Sequence, residues 1–144
     1  MPFLVFVFGT LKEGLPNHST LQGTRWAGEF MTRERYPLYL VGDRHSPWLV
    51  DQPGQGERVC GQVFEVSASA LAAMDRLERT TEPDGYLRAC IEVERVSSEV
   101  ASKPVTVFAY LKPAEQFAAS TACIGPLSDY TLEHAARYRS RPRL

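Results

Sequence analysis

Six short segments rich in β-branched and aromatic residues recur along the chain with turn signals between them: Phe3 to Phe8, Trp26 to Arg33, Leu38 to Val41, Val59 to Val66, Tyr86 to Val96 and Val105 to Leu111. That recurrence constrains the fold most, because so many strands in one short chain predict a sheet-dominated domain, closed or half-closed into a barrel. In the stretch YLRACIEVERV, Leu87, Ala89, Ile91 and Val93 alternate with Arg88, Cys90, Glu92 and Glu94, so one face is expected to pack on the core. The stretch VTVFAYL is apolar almost throughout and reads as a central strand buried on both sides. HSPW, DQPGQGER and ERTTEPDGY are read as connecting loops.

One helix stands out against the strands. SASALAAMDRLERT opens on Ser67 or Ser69 as N-cap, is rich in alanine and leucine, and is expected to end through Pro83. A weaker helical pattern, DYTLEHAARY, begins after Asp129. At 144 residues the chain suits one domain over 1–144, with one core and one site.

A formal net charge of −1 gives no electrostatic case for nucleic acid or a membrane surface. The run ARYRSRPRL, with Arg137, Arg139, Arg141 and Arg143, reads as a solvated tail. Cys60, Cys90 and Cys123 are odd in number and widely spaced, which fits reduced thiols in a cytoplasmic protein. FLVFVF is six residues long and lacks the flanks of a signal peptide, so it is expected to be a strand.

The helix carries the first chemical clue. At about 100° per residue, Ala70, Leu71, Met74 and Leu77 form an apolar stripe while Asp75, Arg76 and Arg79 point elsewhere, and Glu78 falls inside the stripe. A carboxylate turned toward a core or a cavity loses hydration and gains acid/base usefulness near neutral pH. The alternative is an outward bend at the helix end, with Glu78 paired to Arg79, Arg88 or solvent. Asp75, Glu82 and Asp84 are rival acids near the same turn.

The second clue is FVFGTLKEGLPNH, an apolar strand running into a loop with no evident catalytic side chain. Glycine allows unusual dihedrals, so the backbone N–H groups of Gly9, Thr10 and Leu11 can converge on one anion; an ordinary tight turn is the competing reading. No GxSxG elbow and no P-loop is present, and His18, His45 and His134 lack metal-type spacing, so neither a triad, a metal nor a cofactor is expected.

FVFGTLKEGLPNH, YPLYLVGDRHSPWLV, MDRLERTTEPDGYLR and EHAARYRSRPR, in that order, resemble the γ-glutamylamine cyclotransferases within the γ-glutamylcyclotransferase-like group. The resemblance covers nearly the whole chain. It implies an α+β fold, a single-domain mixed β-barrel with a few short helices around one cavity. It implies release of 5-oxoproline from a small-molecule γ-glutamyl substrate, such as γ-glutamyl-ε-lysine, by a cytoplasmic monomer without a cofactor. Carried over by motif, the catalytic glutamate is Glu78 and the substrate-binding loop is Phe8, Gly9, Thr10 and Leu11. Phe8 stands where most relatives have tyrosine, and the segment after Glu78 is longer and more charged than in some animal members. Two other readings stay open at this point: a cyclotransferase for γ-glutamyl amino acids, and a non-catalytic module that binds a small carboxylate.

Overall fold

A computed structural model describes residues 2–18, 21–96, 103–118 and 122–139. Nine strands and three helices are found among them: β1 Phe3–Val7, β2 Thr24–Arg25, β3 Phe30–Thr32, β4 Leu38–Val41, β5 Ser46–Leu49, β6 Cys60–Val66, α1 Ala68–Leu77, β7 Leu87–Arg95, β8 Val105–Leu111, α2 Ala114–Ala118, β9 Ala122–Leu127 and α3 Leu132–Ala135. The first sheet runs β1-β8-β7-β3-β6-β2, and a further β1–β6 pairing closes five of its strands into a barrel. β1 pairs parallel with β8 and antiparallel with β6, so the barrel is mixed. A second sheet, β5-β4-β9, is joined to it by the bridge between Val50 and Lys112.

The expected fold class is therefore the observed one. β1 explains why the first apolar run hardly alternates. Its Phe6 and the following Phe8 pack into the main core with Phe30, Val63, Val107 and Leu111, while Val5 and Val7 pack with Ala70, Leu71 and Met74 of α1. A strand covered on both faces needs apolar residues at every position. β7 alternates as expected at Ile91 and Val93, which are buried, but Leu87 is 48% exposed. β8 is buried on both faces only toward its C-terminal end, from Ala109 to Leu111.

Several expectations are corrected. HSPW is not a loop: β5 takes up Ser46 to Leu49 and pairs with β4 residue by residue. Of the segment Trp26 to Arg33 only Phe30–Thr32 is strand, β3; a turn at Gly28, whose φ is 86°, separates it from β2, which lies before Trp26. α1 ends at Leu77, well before Pro83. Its end is closed by backbone bonds from Arg79 N–H to Arg76 O and from Thr80 N–H to Asp75 O, with Arg79 left-handed at φ 56°. This is the Schellman arrangement with arginine where glycine is usual. Cys60 and Cys90 are free, and Cys90 is exposed. Arg141, Arg143 and the side chain of Cys123 lie outside the described residues.

Candidate active site

A cavity of roughly 200 Å³ opens where β1 ends. Its lining brings together Phe8 to Leu11 of the first loop, Leu77 and Glu78 of the α1 end, Ser46 and Pro47 of β5, and Tyr86, Tyr110 and Tyr138, with Asn17 and Arg44 also in the wall. The loop and the glutamate that sequence reading singled out, 67 or more positions apart in the chain, thus line one space.

Glu78 reaches the cavity because of how α1 stops. The residue is the C-cap, helical in backbone, and its N–H still bonds to Met74 O at 2.9 Å. Its own carbonyl accepts from Tyr86 N–H at 2.9 Å, so the chain loops out through residues 79–85 and returns beside it. Gly85 is required for that return, since a Cβ there would lie 1.7 Å from the Arg79 carbonyl oxygen. The stripe reading is right for Ala70, Leu71 and Met74, which are buried, but Leu77 is 42% exposed at the cavity rim.

The competing partners for Glu78 are engaged elsewhere. Arg79 faces Glu82 and Asp84 in the exposed loop, and Arg88 Nη1 bonds Asp75 Oδ2 at 2.8 Å. Asp75, the nearest rival acid, also accepts from the Tyr110 hydroxyl at 2.7 Å, so it is committed to fixing Tyr110 and Arg88. Glu82 and Asp84 are exposed and outside the cavity.

The tyrosines give this wall its polarity. The Tyr86 hydroxyl donates to Pro47 O at 3.0 Å and lies 3.5 Å from Ser46 Oγ. Burial, followed by the Glu78 carboxylate, pushes its pKa well above the ordinary tyrosine range. Burial and the hydrogen bond to Asp75 do the same to Tyr110. Both rings therefore present neutral hydroxyls beside Glu78 at neutral pH.

The loop is held from below and from the side. Lys12 N–H bonds Gly9 O at 3.0 Å and Asn17 N–H bonds Thr10 O at 2.8 Å. Asn17 Nδ2 donates to Thr10 Oγ1 at 2.8 Å, and the buried Lys12 ammonium pairs with Asp129 at 2.8 Å. The two backbone bonds use loop carbonyls, and among the described residues no backbone hydrogen bond is found from the N–H groups of Gly9, Thr10 or Leu11. Gly9 is needed for space and not for an unusual dihedral: a Cβ would stand 2.8 Å from Pro47 Cγ, and its φ is not in the left-handed region. Phe8 packs against Phe6, ring centroids 6.5 Å apart, and its ring belongs to the main core as well as to the cavity floor.

Tyr86 and Tyr138 are in the wall and Trp48 is not. Trp48 instead covers the Lys112 ammonium, 4.3 Å from its ring centroid, with Tyr86 at 4.5 Å on the same cation. His18, His45 and His134 are apart from the cavity lining, and no cluster able to hold a metal occurs among the described residues. Asn17, Arg44, Ser46 and Tyr110 were missed as lining residues. Asn17, Arg44 and Ser46 lie within quoted motifs, whereas Tyr110 carried no such signal.

A family model described as γ-glutamyl cyclotransferase, AIG2-like, matches residues 5–131. The chain is 33% identical to γ-glutamylaminecyclotransferase of Homo sapiens, the match covering 96% of this chain and 97% of that protein. It is 36% identical to γ-glutamylaminecyclotransferase B of Danio rerio over 76% of this chain, and spans 59% of that protein's length. The crystal structure of an AIG2-like protein from Mus musculus superposes with a TM-score of 0.77 at 29% identity, covering 99% of this chain and 97% of that one.

Proposed function

We propose that this chain, which belongs to the γ-glutamyl cyclotransferase, AIG2-like family, releases 5-oxoproline and a free amine from γ-glutamylamines, with γ-glutamyl-ε-lysine as the type substrate. The observation that carries the assignment is the shared lining: Glu78 and the loop Gly9 to Leu11 line the same small cavity.

The reaction needs no nucleophile from the protein. The substrate's α-amine attacks its own γ-carbonyl, a C–N bond closes the five-membered ring, and the isopeptide C–N bond breaks. Holding the folded conformer supplies several kcal/mol of the barrier by orientation alone. A small cavity lined by Phe6, Phe8, Tyr86 and Tyr110 suits that bent conformer better than an extended one.

Proton traffic is the remaining chemical task. The α-ammonium must lose two protons to become the lactam N–H, and the leaving nitrogen must gain two to depart as an ammonium. Glu78 accepts at the first nitrogen and donates at the second, so it is regenerated with no net consumption. The neutral hydroxyls of Tyr86 and Tyr110 flank this exchange without competing for the proton. The N–H groups of Gly9 to Leu11 hold the α-carboxylate or the oxyanion that develops on the γ-carbonyl; one such donor is worth on the order of 3 kcal/mol in the transition state.

The test is Glu78→Gln, which keeps volume and polarity and removes the base. Release of 5-oxoproline from γ-glutamyl-ε-lysine is expected to fall by on the order of a hundredfold or more, with thermal unfolding near that of the parent. Full activity in a folded variant would end the assignment.

A further inference from the structure

Two of the cavity's fifteen lining residues carry a charge among those described: Glu78 and Arg44. Glu78 has a task in the reaction proposed above, and Arg44 has none there. Arg44 is half-buried, and none of the ion pairs among the described residues includes it. A partly desolvated guanidinium in a cavity, without a carboxylate within salt-bridge distance, is a ready receptor for an anion.

Its position is built and not incidental. Arg44 Nε donates to Arg139 O at 3.0 Å, and Arg139 N–H donates back to Arg44 O at 2.9 Å. The guanidinium carbon lies 6.0 Å from the centroid of the Tyr138 ring, and the Tyr138 hydroxyl accepts from Asn17 Nδ2 at 3.2 Å. Three segments distant in sequence therefore fix one cation at the cavity wall. The hydrogen bond described for the guanidinium uses Nε alone, which leaves a two-armed donor for a planar carboxylate.

The substrate chemistry supplies a matching anion. γ-Glutamyl-ε-lysine carries two carboxylates. One is bonded to the carbon that bears the attacking amine, so it must lie close to that amine and to Glu78, within reach of the Gly9 to Leu11 loop. The other belongs to the departing lysine and sits at the far end of its side chain. Arg44 stands on a different segment from Glu78: it follows β4 and is held by Arg139 and Tyr138, whereas Glu78 caps α1.

We propose that Arg44, clasped to the C-terminal segment through Arg139 and Tyr138, is the specificity-determining residue for the leaving group, binding the carboxylate of the departing amino acid. The inference rests on the cyclotransferase reading and goes beyond it by ranking γ-glutamylamines: those whose leaving amine carries a carboxylate are preferred over simple alkylamines. Arg44 takes no part in bond making or breaking.

The experiment compares γ-glutamyl-ε-lysine with γ-glutamyl-n-butylamine, which lacks the second carboxylate, in the parent protein, Arg44→Met and Arg44→Lys, following 5-oxoproline. The expected result is a ratio of kcat/KM values, lysine compound over butylamine compound, that falls at least tenfold in Arg44→Met, through KM, and is largely restored in Arg44→Lys. Because the readout is a ratio between substrates, a partly destabilised variant still reports it. A ratio within about twofold of the parent value in Arg44→Met overturns this proposal alone. A parent protein that cyclises neither compound overturns the cyclotransferase reading and this proposal with it.

Discussion

On one side of the cavity, Glu78, Tyr86 and Tyr110 sit on the barrel and its covering helix; on the other, Gly9 to Leu11, Asn17, Arg44 and Tyr138 sit on segments outside the barrel strands that hold one another. The first wall is fixed by short bonds into the fold, the Asp75 carboxylate tying Tyr110 and Arg88 and the closed end of α1 setting Glu78. The second is fixed by cross-links between segments as far apart as Asn17 and Tyr138. The difference fits a division of labour. A group that must move protons between two nitrogens needs a position set to a fraction of an ångström, whereas groups that choose among leaving amines can be exchanged on loops without disturbing the barrel.

That division can be attacked first at the seat of the loop on β5. Gly9→Val puts a branched side chain where even a Cβ would stand 2.8 Å from Pro47 Cγ, forcing the loop away from β5. Displacement by about 1 Å is expected to lower kcat/KM on the order of a hundredfold. Steady-state kinetics with γ-glutamyl-ε-lysine measures it, and an unaffected enzyme would mean the loop does not need its present seat.

Asp75→Asn probes the helix wall. Tyr110 and Arg88 both lose a charged acceptor, which is expected to cost about 1.5–3 kcal/mol of stability, read by urea unfolding. The loss of kcat should be smaller than in Gly9→Val, because Asp75 positions Tyr110 and touches no substrate. A variant as stable as the parent would show that this wall is held by packing alone.

The smallest effect is the alkaline one. Burial raises the pKa of Tyr36, Tyr86, Tyr110 and Tyr130, with Glu34, Glu78, Asp75 and Tyr138 as the respective second causes. A tyrosine whose folded pKa is raised contributes stability in full below its unfolded pKa of about 10, and that stability is lost progressively as pH rises above it. Ultraviolet titration should find four of the chain's six tyrosines ionising late, above the ordinary tyrosine range, Tyr36, Tyr86, Tyr110 and Tyr130. Ionisation of all six near the ordinary value, in folded protein, would place their hydroxyls in water.

Sequence reading reached the parts whose cause is local. The helix stripe turned Glu78 inward because Leu71 and Met74 impose the rotation, and the apolar run of β1 announced a strand covered on both faces. It failed where a rule of composition met a tertiary exception. β5 contains Pro47 and β9 contains Gly125 and Pro126, residues that argue against strands, yet both flank β4 in a small sheet where such residues are tolerated. The helix was drawn past its end because arginine at position 79 gives no stop signal; the left-handed turn there is imposed by the close return of the chain at Gly85. Arg44 and Tyr110 could not be found by spacing, since what makes them lining residues is the closure of the barrel and the clasp at Arg139.

The central claim is that one carboxylate and one loop act on the same ligand. A crystal structure of the protein with 5-oxoproline bound tests it most directly. The account predicts the lactam in this cavity, its nitrogen within hydrogen-bond distance of a Glu78 carboxyl oxygen and an oxygen of the product facing the N–H groups of Gly9 to Leu11. Product bound elsewhere, or bound here with Glu78 turned away from it, would contradict the account.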